Sequence, residues 1–156
     1  MNKTLHSSNR MDWETPQALF DALDREFHFD LDAAASKANA KCEKYFTVTE
    51  DALKYPWCAV GSIWLNPPYG RQIGKWMQKA YEESRRQSFP VVCLIPARTD
   101  TAWWHNYVMK AAEIRLIRGR IKFVGAESGA PFPSAIVVFR KGQSKPRIST
   151  YYLPMV

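Results

Sequence analysis

Asn66, Pro67, Pro68 and Tyr69 are the residues of this chain whose types and spacing best suit chemistry. Two successive prolines fix φ twice and remove two N–H donors, so nearby carbonyls are held rigid with little local competition for their lone pairs. The Asn66 side-chain oxygen and the Pro67 carbonyl can then accept hydrogen bonds from one –NH₂ group, and Tyr69 offers a stacking face beside them. Such a set recognises a planar ring with an exocyclic amine, of which adenine N6 is the obvious case. The plainer reading is a rigid Pro-Pro turn capping a strand, which would not need an aromatic residue there.

Carboxylates form the second group. In FDLDAAAS, Asp30 and Asp32 alternate with Phe29 and Leu31, so both fall on one face of a short strand that ends in small residues. They are either ligand contacts or two solvated acids at a strand end. Asp51 stands fifteen positions before Asn66 (66 − 51). It is either an acceptor-only contact for a ligand amine or an acid on a solvated loop. His6, His28 and His105 are scattered, and Cys42, Cys58 and Cys93 form no CxxC pair. That pattern suggests neither a metal site nor a disulfide framework, and core thiols in a reducing cytosol fit it better.

Elements must hold these groups in place. Thr15 reads as an N-cap and Pro16 as the first residue of a helix over 16–27, with Leu19, Phe20, Leu23 and Phe27 at helical spacing. A short strand follows in FHFDLDAAAS, whereas residues 37–58 lack clear periodicity. Residues 61–65 form a strand running into Asn66, and Ile73, Trp76, Met77, Ala80 and Tyr81 mark a helix to about Gln87. PVVCLIP (90–96) suits a strand buried on both faces. TAWWHNYVMKAA (101–112) reads as a helix, and EIRLIRGRIKFV and PSAIVVFR as two strands flanking the loop GAESGAPF. This order predicts one α/β domain with a mainly parallel sheet and an antiparallel closing pair. In open α/β sheets ligands sit at the carboxyl ends of strands, and Asn66 falls at such an end. The first ten residues read as a loose arm.

The blocks DWETP, FDLDAAAS, WLNPPYG, IPARTDTAWW and APFPSAIVVF occur in that order over residues 12–140 or so. NPPY after a strand looks like motif IV of amino-methyltransferases, and the ordered set resembles the compact phage and prophage Dam-like DNA N6-adenine methyltransferases. The resemblance implies a Rossmann-like class I methyltransferase fold. It also implies S-adenosylmethionine (AdoMet) as methyl donor, S-adenosylhomocysteine as product, no metal, and in-line transfer to an adenine flipped out of double-stranded DNA. On the matching residues, Asn66, Pro67, Pro68 and Tyr69 would hold the target amine, with Asn66 also bordering the cofactor. Asp32 would meet the methionyl amino group beside Asp30, Ala33 and Ala34, and Asp51 would accept from the cofactor's adenine amine. Thr15 and Pro16 would contact the methionine end, with Trp13 covering the pocket. One departure stands out. Ala33-Ala34-Ala35-Ser36 occupies the place of the usual glycine-rich turn, and alanine does not adopt φ > 0 without cost.

The charge agrees with a polyanionic partner: formal net charge is +7. Arg118, Arg120 and Lys122 alternate with Ile117, Gly119, Ile121 and Phe123. On a strand this sets three cations on one face about 7 Å apart, which suits a phosphate backbone or an ordinary solvated face. Arg98 and Thr99 follow the buried strand at its carboxyl end, looking into the same crevice as NPPY. Trp103 lies off its helix's apolar face, either stacking on a base or packing in the core, and Phe132 would contact the flipped base's other face. The length leaves little room for a separate recognition domain, so any sequence reading is expected to fall to loops 37–50, 98–104 and 124–133. A short or relaxed target site is expected, with a homodimer as one way to gain grip. The same acceptor pair would serve an RNA base or a glutamine amide, and an inactive DNA-binding module on this fold is a further alternative. No apolar run of about 18 residues and no signal-peptide stretch is present, so a cytoplasmic location is expected.

Overall fold

The computed structural model describes residues 13–36, 38–47 and 52–155. Helix α1 (Gln17–Phe27) forms where Leu19, Phe20, Leu23 and Phe27 recur on one face, and all four are buried. Pro16, rather than Thr15, takes its N-cap position, and no side chain caps the helix. A proline suits a helix start because its missing N–H would have no intrahelical partner there. His28 closes α1 in the left-handed conformation (φ 54°), donating its N–H to Asp24 O, and the chain turns into β1 (Phe29–Ala35).

The remaining elements are β2 (Lys44–Thr47), β3 (Ser62–Leu65), α2 (Ile73–Arg85), β4 (Val91–Pro96), α3 (Ala102–Asn106), a 3₁₀ turn (Val108–Lys110), β5 (Glu113–Arg118), β6 (Ser134–Phe139) and β7 (Arg147–Tyr152). They build a seven-stranded sheet in the order β2-β1-β3-β4-β6-β5-β7. β6 runs antiparallel to both β4 and β5, and the other pairs are parallel. A mostly parallel α/β sheet, reversed near its C-terminal side, is therefore the architecture, consistent with a Rossmann-like methyltransferase fold. β3, β4 and β6 are buried at every residue, which is why they read as continuous apolar runs.

Register decides which face meets which helix. Ile63, Val91 and Phe139 pair across β3, β4 and β6, and Phe139 meets Tyr81 of α2 at 6.2 Å between ring centroids. Trp64, one residue on, points to the other face and meets Phe20 of α1 at 5.5 Å. Arg115 of β5 clips the end of α1 to the sheet through two hydrogen bonds to Glu26, at 2.8 and 2.6 Å. The two helices thus cover opposite faces and leave the strand ends open.

Four elements differ from expectation. β2 and β7 are strands that periodicity does not reveal: both are edges, and β7 is exposed at every residue except the half-buried Tyr151, so no apolar alternation marks it. The helix expected over 101–112 stops at Asn106 and tightens into the 3₁₀ turn, because Tyr107 leaves helical geometry (φ −124°). The strand expected over 113–124 ends at Arg118, where Gly119 takes φ 85°. Beyond it Ile121 and Phe123 still point inward, and Ile121 O accepts from Ala130 N–H at 2.8 Å. The three cations are therefore exposed at alternate positions, but they do not share one strand face.

Candidate active site

β1 and β3 lie side by side and parallel, with Asp32 paired to Trp64, so the ends of both strands open on one edge. There a cavity of about 520 Å³ is bounded by Asp32, Ala34, Ala35 and Ser36 from β1 and its loop, and by Trp64, Asn66, Pro67 and Pro68 from β3. Trp13, Glu14 and Thr15, just before α1, form the facing wall, with Asn39, Lys41 and Val124 at the rim. That volume suits a small-molecule ligand.

Asn66 sits at the junction. Its Nδ2 donates to Thr15 Oγ1 at 3.0 Å and to the Trp13 carbonyl. Its Oδ1 is buried and finds no hydrogen-bond partner among the described residues. An acceptor in that condition is costly unless a donor arrives to meet it.

Asp32 is the second charged feature. It is only 3% exposed, and burial raises its carboxyl above the usual range, although N–H groups of Lys41 (3.0 Å) and Ala34 (3.2 Å) partly offset this by donating to it. The Lys41 bond draws the segment after β1 back toward the carboxylate. Ser36 and Asn39 fasten it further, the Ser36 N–H donating to Asn39 Oδ1 at 2.6 Å and the Asn39 N–H to Ser36 Oγ at 3.2 Å. The same backbone accounts for the glycine-free stretch. β1 stays extended through Ala35, and His28 is the one non-glycine residue at positive φ among those described. The left-handed geometry that would demand glycine does not occur here.

Tyr69 departs from expectation. It is buried, its hydroxyl donates to Leu94 O at 3.1 Å, and burial pushes its ionisation well above the usual range. Its ring stands edge-on to Phe132 (5.7 Å) and Phe123 (6.3 Å), which in turn meet Trp13 at 5.2 and 5.3 Å. The open stacking face expected of Tyr69 is absent; the residue pins the Pro-Pro segment to β4 instead. Phe132 is likewise buried in this aromatic cluster rather than presented to a ligand. The cause is tertiary, since the loop before β6 folds these rings onto one another.

Other expected contacts divide. Trp13, Thr15, Asp32, Ala34, Asn66, Pro67 and Pro68 meet at the cavity. Pro16 and Ala33 do not border it, the first starting α1 and the second buried within the sheet. Asp30 lies outside it too, accepting from Lys44 Nζ and Val60 N–H, both at 2.9 Å, which hold its carboxyl below the usual range. A register shift between Phe29 and Leu31 breaks the alternation expected of the two acids. Asp51 falls outside the described residues.

On the nucleic-acid side, Arg98 and Thr99 are exposed just past the carboxyl end of β4, with the Arg98 guanidinium 5.8 Å from the Phe132 ring centroid. Arg118 and Lys122 are exposed, while Arg120 donates to Ala130 O at 3.0 Å. Trp103 is half-buried over Gly74, where an added Cβ would meet it at 3.4 Å, so it packs against the start of α2. Glu14, Ala35, Ser36, Asn39, Lys41, Trp64 and Val124 line the cavity without having been named as contacts from sequence. Ser36-x-x-Asn39 is a legible turn signal, whereas nothing local marks Val124. No group of three His, Cys, Asp or Glu residues able to hold a metal ion occurs among the described residues, and no described helix is long and apolar enough to cross a membrane.

Comparison with known proteins converges on one family. The model for "DNA N-6-adenine-methyltransferase (Dam)" matches residues 2–153. The DNA N-6-adenine-methyltransferase of Escherichia phage T1 is 30% identical over 164 aligned residues, covering 92% of this chain and 68% of the phage protein. A candidate methyltransferase of Escherichia coli strain K12, YfdM, is 33% identical over 76 residues, 44% of this chain and 84% of its own. With Asn66, Pro67 and Pro68 lining the cavity and the family match running almost end to end, the chain belongs to the Dam family of DNA N6-adenine methyltransferases.

Proposed function

We propose that this protein transfers the methyl group of AdoMet to N6 of an adenine flipped out of duplex DNA, by direct displacement and without a metal. The observation that carries the reading is the Asn66 Oδ1 atom: buried, unpartnered among the described residues, and set beside a cavity that also holds a buried carboxylate.

The residues present fit AdoMet. Asp32 would hold its cationic amino group, Trp64, Ala34 and the prolines would meet its apolar parts, and Ser36, Asn39 and Lys41 would border it. When bound, its sulfonium supplies an electrophilic methyl carbon with a neutral thioether leaving group. Adenine N6 is a poor nucleophile because its lone pair is delocalised into the ring. Asn66 Oδ1 and the Pro67 carbonyl, accepting from its two hydrogens, favour a pyramidal nitrogen and aim the lone pair along the displacement line. The N–C bond forms as the C–S bond breaks, and the surplus proton on nitrogen passes to water. No strong base is needed. Tyr69 contributes by stiffening the Pro-Pro carbonyls through its bond to β4; stacking on the base would require its ring to leave the aromatic cluster.

Duplex DNA would lie along the exposed cations Arg98, Arg118 and Lys122, whose phosphate contacts position without reading sequence. Base reading would fall to short loops, giving a short or relaxed site. Base-resolution mapping of a plasmid treated with protein and AdoMet tests the whole reading. N6-methyladenine in a short sequence context is expected. Methylation of RNA or of a glutamine peptide with the plasmid untouched would overturn it, as would a protein that binds DNA but no AdoMet.

A further inference from the structure

Thr15 does something for Asn66 that its position before a helix does not suggest. A primary amide has an oxygen end and a nitrogen end, and catalysis of the kind proposed above works only if the oxygen faces the target amine. Both hydrogens of Asn66 Nδ2 are taken, one by the Trp13 carbonyl and one by Thr15 Oγ1 at 3.0 Å. A carbonyl can only accept. Turning the amide over would set Oδ1 against the Trp13 oxygen and leave Nδ2 where the amine of the substrate must bind.

The segment 13–15 is well placed to enforce this choice. The Trp13 ring is held edge-on between Phe123 (5.3 Å) and Phe132 (5.2 Å). Glu14 O accepts from Val124 N–H at 3.1 Å, which ties the segment to the loop after β5. Thr15 is 2% exposed, so water is poorly placed to replace its hydroxyl. The segment is thus fixed on its outer side and presents two acceptors inward, more than 50 residues away in sequence from the amide it orients.

We infer that Thr15 is a positioning residue for methyl transfer: together with the Trp13 carbonyl it takes both hydrogens of the Asn66 amide and so turns Oδ1 toward the adenine amine. This rests on the reading of Asn66 as acceptor for the substrate amine, and it separates Thr15 from a simple cofactor contact.

The test is Thr15→Val, which keeps the shape and removes the acceptor, beside Thr15→Ser, which keeps the acceptor. With five asparagines in the chain, asparagine-selective nitrogen labelling gives few side-chain signals, and the Asn66 pair is assigned by its disappearance in Asn66→Ala. In Thr15→Val one Asn66 amide proton should shift and exchange with water at least about tenfold faster. The single-turnover rate at saturating AdoMet should fall about five- to tenfold, as for one lost hydrogen bond, while AdoMet affinity stays within about twofold. Thr15→Ser should recover both the signals and the rate. Unchanged Asn66 signals in Thr15→Val, or lost AdoMet affinity with an unchanged saturated rate, would overturn the inference. Thr15→Ala, read by the same two measurements, decides the matter if valine prevents folding. A wild-type protein that methylates no duplex adenine would instead refute the functional reading, and the amide spectrum would still judge the latch.

Discussion

At the scale of single residues, two buried polar groups face one cavity under opposite constraints. Asn66 presents an acceptor without a partner among the described residues, so its removal should be felt in the reaction more than in cofactor binding. Asn66→Ala is expected to slow methyl transfer at least about 100-fold, the usual scale for losing a preorganised polar contact in a transition state. AdoMet affinity should fall less than about tenfold, that loss reflecting release of the Trp13–Thr15 wall; single-turnover kinetics beside calorimetry measure both, and equal losses would contradict the assignment. Asp32 makes a pH prediction with two opposite slopes. Burial raises its carboxyl, so the folded free protein binds the proton more tightly than the unfolded chain does. Its contribution to stability is therefore best at low pH and declines as pH rises from the ordinary carboxylate range through the raised value. Affinity for a cationic cofactor should climb over the same window, because only the ionised form attracts an ammonium. Denaturant titrations and binding isotherms across that window check both trends, and Asp32→Asn should flatten both.

Elements determine why some of these residues are legible in the sequence and others are not. NPPY announces itself because a plain turn after an apolar strand rarely needs two prolines and an aromatic; α1 and α2 announce themselves by period, and β3, β4 and β6 as continuous apolar runs. The burial of Tyr69 is not legible, because its neighbours Phe123 and Phe132 are more than fifty residues on and no local pattern says that they fold back to cover it. β7 escapes notice for the opposite reason: an exposed edge strand has no inward face to leave a periodic trace. The alanine run shows how a local rule can mislead in the other direction. Because β1 remains extended there, Ala34→Gly should gain no cofactor affinity and should cost about 0.5–1 kcal/mol of stability through backbone entropy. A thermal or chemical denaturation comparison reads this directly, and tighter AdoMet binding in the glycine variant would show that the loop needs more freedom than the alanines allow.

For the whole molecule, net charge and the distribution of cations set how it meets a polyanion. The formal charge of +7 supports a salt-dependent affinity for DNA, with exposed Arg98, Arg118 and Lys122 as cations on loops and strand ends. Lys122→Ala should weaken binding across all duplex sequences and lower the slope of log affinity against log salt by about 1. Arg120→Ala should change that slope less and the 120–130 loop more, since its guanidinium already holds Ala130 O. Equal slopes for wild type and Lys122→Ala would remove that lysine from the phosphate path.

The chain's order of apolar runs and its Asn-Pro-Pro-Tyr segment were enough to establish an α/β sheet with a stiff Pro-Pro corner at a strand end, because apolar patterning and backbone restriction are local properties. Which way that corner faces was decided only in three dimensions. The orientation of the Asn66 amide, the concealment of Tyr69, the diversion of Asp30 to Lys44 and the raised carboxyl of Asp32 all depend on partners contributed by other segments. Hydrogen bonds and desolvation act through space, so residue spacing along the chain could not reveal them.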